Sequence, residues 1–328
     1  MTRHAVASDV RVRRGSGGAT LLVLLACAAP CFAQYQRPVD AAPSEKDIGG
    51  GYVTPAVQHP LPRAPWRQAA DVALLGVALG LSAWLVLKRR SRAGVVALTI
   101  GSLAYFGFYR QGCVCPIGAI QNVTVALLDP RYATSYIVLG IFFLPLAAAL
   151  LFGRAFCGGV CPLGAIQDLV LLRPVQVPRR VDKALGWLKW VYLAVAIGFA
   201  ALPAASRDFV ICRFDPFVGF FRFAGPLHMQ LIGGGLLVLG LFVGRPYCRY
   251  LCPYGALLSL LSRISWRSVS VTPNKELDCG LCAAGCPYGA IENLRAVRSA
   301  CLSCARCFNY CPRHRAQVAR PRAAVEVS

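Results

Sequence analysis

The chain has 328 residues, 56% of them apolar, and a mean hydropathy of +0.54, which is too greasy for an ordinary soluble domain of this length. Lys and Arg number 35 against 14 Asp and Glu, and the excess clusters beside apolar runs with no recognition helix, P-loop or RNA-binding motif, so it points to a membrane and away from nucleic acid. Sixteen cysteines, most in tight proline-terminated groups, exclude a small disulfide-stapled secreted domain and point to metal ligation.

Residues 1–33 read as a signal peptide or anchor. Arg11, Arg13 and Arg14 precede the apolar run 19–29, and Ala33 offers a cleavage site. Residues 34–66 are rich in Pro, Gly and charge and read as a periplasmic linker. Residues 67–262 read as a transmembrane domain of five helices, at about 69–87, 93–108, 133–152, 184–202 and 228–243. Each is near the ~20 residues a bilayer requires. Residues 263–315 read as a bacterial-type ferredoxin domain and 316–328 as a basic disordered tail. The expected fold is thus a mostly α membrane protein with a small α+β ferredoxin-like C-terminal domain.

Orientation follows the basic loops. Lys88, Arg89, Arg90 and Arg92 crowd the first loop; Arg173, Arg179, Arg180 and Lys183 crowd the third; Arg245, Arg249, Arg263 and Arg267 follow the last span. Positive-inside puts these in the cytoplasm, so the expected location is a bacterial inner membrane, multi-pass, with the ferredoxin domain cytoplasmic. Only Asp71 and Lys189 are ionisable residues in or near the spans, which weighs against a proton-handling quinone pocket.

The tail carries the most specific signal. Cys301, Cys304, Cys307 and Cys311 are spaced by two, two and three residues and followed by Pro312. That is the bacterial ferredoxin run for a [4Fe–4S] cluster, in which the fourth Cys serves a second cluster; a zinc knuckle is the competing reading. Upstream, Cys279, Cys282 and Cys286 fit the last three positions of the same run, and the first falls on Glu276. One cluster therefore takes Cys301, Cys304, Cys307 and Cys286. The other takes Cys279, Cys282 and Cys311 and lacks a thiolate, leaving Glu276, Asp278 or water as ligand, or a [3Fe–4S] cluster.

Two further phrases form an internal repeat. "GRAFCGGVCPLGAIQDL" holds Cys157 and Cys161; "GRPYCRYLCPYGALLSL" holds Cys248 and Cys252. Both follow a span at its cytoplasmic end. A helical spacing of four would put both sulfurs of a pair on one face, with the proline in the next helix's first turn. Two pairs facing each other make a four-thiolate site for a further iron–sulfur cluster, with structural zinc or plain thiol packing as the alternatives. Arg154 and Arg245 either offset cluster charge or anchor helix ends at the headgroups.

A compressed copy of the phrase, Cys113, Cys115 and Pro116 in "CPIGAIQ", falls in the second loop, and Cys212 falls in the fourth. Both loops are expected outside. The three cysteines either bind a periplasmic-side cluster, with Asp215 or His228 as candidate fourth ligand, or include a disulfide. Phe214, Phe217, Phe220, Phe221 and Phe223 read as an interfacial aromatic belt.

Repeated Cys-x-x-x-Cys-Pro phrases at span ends, followed by a ferredoxin tail, resemble the membrane-bound polyferredoxin family, of the NosR C-terminal type and the NapH type. The resemblance covers about residues 69–312 and implies clusters at Cys157, Cys161, Cys248, Cys252 and the seven tail cysteines. It implies an electron-transfer component, not a stand-alone enzyme, working between a cytoplasmic donor or quinol and a periplasmic reductase or a flavin or haem carrier. The alternative is a redox-sensing regulator or maturation factor for a periplasmic metalloenzyme.

Overall fold

The computed structural model describes residues 64–110, 116–130, 132, 134–203, 211, 215–222, 227–267, 269, 280–292 and 295–311. Cys113, Cys115, Cys212, Glu276, Asp278 and Cys279 lie outside the described residues, as do the leader, most of the linker and the basic tail.

Helix α1 (Pro65–Trp84) starts on Pro65, whose fixed φ suits a first turn, and runs on as a π-helical turn, Leu85–Arg89. Arg90 then turns left-handed (φ 52°), and the Ser91 hydroxyl caps α2 (Arg92–Ser102) by accepting the Gly94 N–H at 3.2 Å. A π-helical stretch, Leu103–Tyr109, extends α2. Next come α3 (Pro116–Leu128) and α4 (Tyr136–Phe152), the latter capped by Ser135. The short α5 (Ala155–Gly159) and α6 (Pro162–Val170) carry the first repeat. Helices α7 (Arg179–Gly186) and α8 (Leu188–Ala200) lead to α9 (Pro216–Arg222) and α10 (Leu227–Gly240). The second repeat comprises the π-helical turn Tyr247–Leu251 and α11 (Pro253–Leu261).

Three segments among the described residues are long and apolar enough to cross a membrane: Pro65–Arg89, Arg92–Tyr109 and Arg179–Ala200. They coincide with the first, second and fourth expected spans. The third and fifth coincide with α4 and α10, of 17 and 14 residues. Helix α3 is a further short apolar helix that the span reading did not include. Helix α4 ends where Gly153 adopts φ 71°, a conformation that glycine takes without a Cβ penalty.

The tail contributes α12 (Leu281–Ala284), the antiparallel strands β1 (Ile291–Glu292) and β2 (Arg295–Ala296), and α13 (Arg306–Tyr310). Ile291 pairs with Ala296 and Glu292 with Arg295. The described residues all fall in one compact unit, and the cysteine loops of the tail pack directly on the repeats. A Cβ on Gly158 would sit 2.5 Å from the Ser303 carbonyl oxygen, and one on Gly244 would sit 2.8 Å from the Tyr288 ring. Each half of the repeat thus receives one cysteine loop of the tail.

Gly158→Ala is therefore expected to lift the 302–303 backbone off the repeat, because the obstruction is main chain and cannot swing aside. Limited proteolysis of the membrane-embedded protein should cut the tail faster in the variant, and an unchanged rate would mean that the loop does not depend on this contact.

Candidate metal centres

The repeat geometry begins with proline. Pro162 and Pro253 occupy the first turns of α6 and α11, as the sequence suggested. A residue before proline is driven toward extended backbone. Cys161 and Cys252 accordingly sit as extended N-caps, not on the helical turns that hold Cys157 and Cys248. The pairs are therefore presented across a break and not on one helical face. Cys157, Cys161, Cys248 and Cys252 are all buried and free and line one cavity. The Cys252 sulfur accepts the Gly255 N–H at 3.2 Å, and the Gln167 amide lies 3.6 Å from the Cys248 sulfur.

A second cavity is lined by Cys286, Cys301, Cys304 and Cys307, the set that the ferredoxin exchange rule assigns to the complete cluster. Cys282 and Cys311, expected at the incomplete cluster, are buried on or beside α12 and α13, which pack together. Among the described residues, no three His, Cys, Asp or Glu side chains are drawn around a single-ion position; the thiols line cavities instead.

Burial dominates the thiols' chemistry. It pushes Cys301 up to about 12, and raises Cys286 and Cys307 as well. Cys157 is raised by burial against the opposing charges of Arg154 and Arg245, and Cys161 is raised by its hydrogen bond to Cys248 and by burial. Thiols raised in this way would have to give up their protons to ligate iron.

Arg154 and Arg245 are 4% and 0% exposed, so they are not headgroup anchors. The Arg245 guanidinium donates to the Cys157 carbonyl and, at 3.2 Å, to the Gly158 carbonyl. Arg154 donates to the Ser299 carbonyl at 3.2 Å. The Nε and Nη2 groups of Arg154 and the Nε of Arg245 have no hydrogen-bond partner among the described residues. Orphaned guanidinium N–H groups beside buried soft donors suit an anionic thiolate-ligated cluster, so the residues present fit the group that the spacing implies.

Sequence reasoning missed the hub of the site. Asp168, 3% exposed, is ion-paired to Arg92 at 2.5 Å, Arg306 at 3.1 Å and Arg245 at 3.3 Å, and accepts from the Tyr288 hydroxyl at 3.3 Å. Arg92 also donates to the Cys304 carbonyl at 2.7 Å. Arg92, counted above as a loop charge, is thus spent inside the protein. Burial alone would raise the Asp168 carboxyl, but Arg245, Arg306 and Arg92 outweigh it and hold it well below the usual carboxylate range.

The fourth-loop expectations also change. Asp215 is buried, accepts from the Tyr247 hydroxyl and the Phe217 N–H, and lines the first cavity. Phe217 and Phe221 line the same cavity and are core residues, not an interfacial belt. Phe217 packs edge-on against Tyr247 at 5.1 Å, a contact worth more than its area alone. Phe220 is half-buried, and His228 is exposed. Pro116 and Ile117, which follow the outer cysteine pair, line the first cavity too. At the other end of α1 and α2, the buried Asp71 accepts from the Tyr105 hydroxyl at 2.8 Å and pairs with Arg110 at 2.7 Å.

Comparison with known proteins bears directly on this geometry. The family described as "4Fe-4S binding domain" matches residues 134–179 and 226–271, the two segments that hold Cys157, Cys161, Cys248 and Cys252. The chain is thus similar to this 4Fe-4S binding family in two separate segments. Each matched segment contributes one cysteine pair to the first cavity, and the resemblance to membrane polyferredoxins stands on more than spacing. YccM of Escherichia coli, named for an electron transport role, is 33% identical over 43% of this chain and 42% of its own length. Protein NirI of Paracoccus denitrificans is 32% identical over 42% of this chain and 20% of its own. The regulatory protein NosR of Pseudomonas aeruginosa is 29% identical over 67% of this chain and 32% of its own. The chain spans less than half the length of each of these relatives. No solved structure matches it.

Proposed function

We propose that this protein carries electrons through iron–sulfur clusters between a cytoplasmic donor or the quinol pool and a periplasmic redox enzyme. The observation that carries this reading is the adjacency of two cysteine tetrads, joined by Arg92, Arg154 and Arg245. Each cluster, when bound, accepts and returns an electron. The chain's own contribution is burial, which excludes water, and fixed N–H groups and charges around the sulfurs, which set how readily an electron is held. YccM is itself named for electron transport.

A bilayer core is about 30 Å thick, so a conduit needs a station toward the outer face. We assign that station to Cys113, Cys115 and Cys212, within a fold of five membrane-crossing helices. The support is a pair of equivalent glutamines, both fully buried. Gln167, six residues after Cys161, accepts the N–H of Tyr247, the neighbour of Cys248, at 3.0 Å. Gln121, six residues after Cys115, accepts the N–H of Ile211, the neighbour of Cys212, at 3.1 Å. The repeated phrase thus ties its glutamine to the residue before a second cysteine in both places.

The test is iron, acid-labile sulfide and EPR on the anaerobic wild type and on a Cys113/Cys115/Cys212 triple serine variant. Loss of one cluster with the others retained supports the outer station. An unchanged iron count and spectrum would remove it and shift weight to the regulatory reading, which the printed name of NosR also favours. Steady electron turnover between a reduced donor and an outer acceptor in proteoliposomes separates conduit from regulator.

A further inference from the structure

We infer that Arg154 and Arg245 form a cationic bridge between the two cysteine tetrads that raises the reduction potential of both centres, and that Asp168 offsets the Arg245 half of it. The inference rests on the iron–sulfur reading of the tetrads and adds the residues that poise them.

The two arginines occupy the same position in the two repeats, each directly after a glycine and three residues before the first cysteine of its phrase. Each crosses to the opposite half. Arg245 lies over Gly164 of the first repeat, where a Cβ would come within 3.1 Å of its Nη1. Arg154 lies over Gly255 of the second, where a Cβ would come within 3.4 Å of its Nη2. The tail then approaches both. Arg154 holds the Ser299 carbonyl, two residues before Cys301, and its charge reaches Cys157 and Cys301. The charge of Arg245 reaches Cys161, Cys248 and Cys304. Each guanidinium therefore faces one tetrad from the membrane repeat and one from the tail.

The pair is symmetric in position but not in charge. Position 168 of the first repeat is Asp, and the equivalent position 259 of the second is Ser. Arg245 consequently has a carboxylate at 3.3 Å. Arg154 is in no ion pair among the described residues, and two of its nitrogens lack any partner. A buried cation favours the more negative, reduced state of a neighbouring centre, and a buried carboxylate opposes it.

The experiment is an EPR-monitored redox titration of the intact, cluster-loaded chain in detergent, on Arg154→Gln, Arg154→Lys and Asp168→Asn. Arg154→Gln is expected to lower the potentials of both centres, Asp168→Asn to raise them, and Arg154→Lys to stay near wild type. Opposite signs are the signature of charge; a merely structural role would move both variants the same way. Shifts of the same sign, or no shift with clusters retained, overturn the bridge. Should Arg154→Gln lose a cluster, Asp168→Asn decides alone: a rise supports the bridge, and an unchanged potential overturns it. Wild-type protein without cluster iron and sulfide would instead sink the iron–sulfur reading on which the bridge depends.

Discussion

Replacing Cys161 and Cys252 together by serine is expected to remove one cluster's worth of iron and acid-labile sulfide, about four of each, while the tail signals persist. The two residues are the extended N-caps of α6 and α11 and supply half of the first tetrad. Serine is a hard oxygen donor and a poor substitute for a soft thiolate toward iron–sulfur. It is, however, a good N-cap, so its oxygen can accept the Gly255 N–H that the Cys252 sulfur accepts now. The backbone should therefore hold, and the loss should be chemical and not a failure to fold. The second tetrad, Cys286, Cys301, Cys304 and Cys307, remains whole and serves as the internal control. Iron analysis and EPR on the purified double variant check this. An unchanged iron content would mean that these thiols pack without ligating.

Both groups of four cysteines that line the cavities were legible as groups in the local spacing of the sequence. Cys301, Cys304 and Cys307 are close in sequence, and the exchange of Cys286 follows from the two-run pattern. Pro162 and Pro253 likewise announced where α6 and α11 begin. The hub could not be read. Arg92 and Asp168 are 76 residues apart, and Arg306 and Asp168 are 138 apart. Nothing local distinguishes a loop arginine in water from one folded inward onto a carboxylate. Gln121 and Gln167 lay inside the repeated phrase, yet a sequence does not say whether a glutamine is solvated or holds a backbone N–H. Phe217 and Phe221 failed for a related reason: an aromatic run near a span suits an interface and a cavity wall equally well, and only packing decides. The short α4 and α10 follow the same logic, since hydropathy locates apolar helices and leaves their exact lengths to caps and turns.

Asp168→Ala should be the most destabilising single change outside the cysteines, at roughly 3–5 kcal/mol, the usual cost of stripping one partner from a buried ion pair. The carboxylate joins Arg92, Arg245 and Arg306, which come from α2, the second repeat and the tail. Its removal leaves three guanidinium groups facing one another, with Arg245 wholly buried. Thermal unfolding in detergent, followed by a thiol-reactive dye on the buried cysteines, reads the loss directly. Asparagine should cost less, since its amide oxygen keeps part of the hydrogen bonding. The pH dependence has a definite sign. The folded carboxyl is held below its ordinary value of about 3.9 by the arginines, despite burial. Its contribution is therefore complete above that ordinary value and is lost only as pH falls through the lower folded one. The gap between wild type and Asp168→Ala should stay constant from about pH 8 to pH 5 on this account. A gap that closes across that window would mean that Asp168 is not held ionised by the three arginines, and that the tail is fixed to the repeats by the glycine contacts instead.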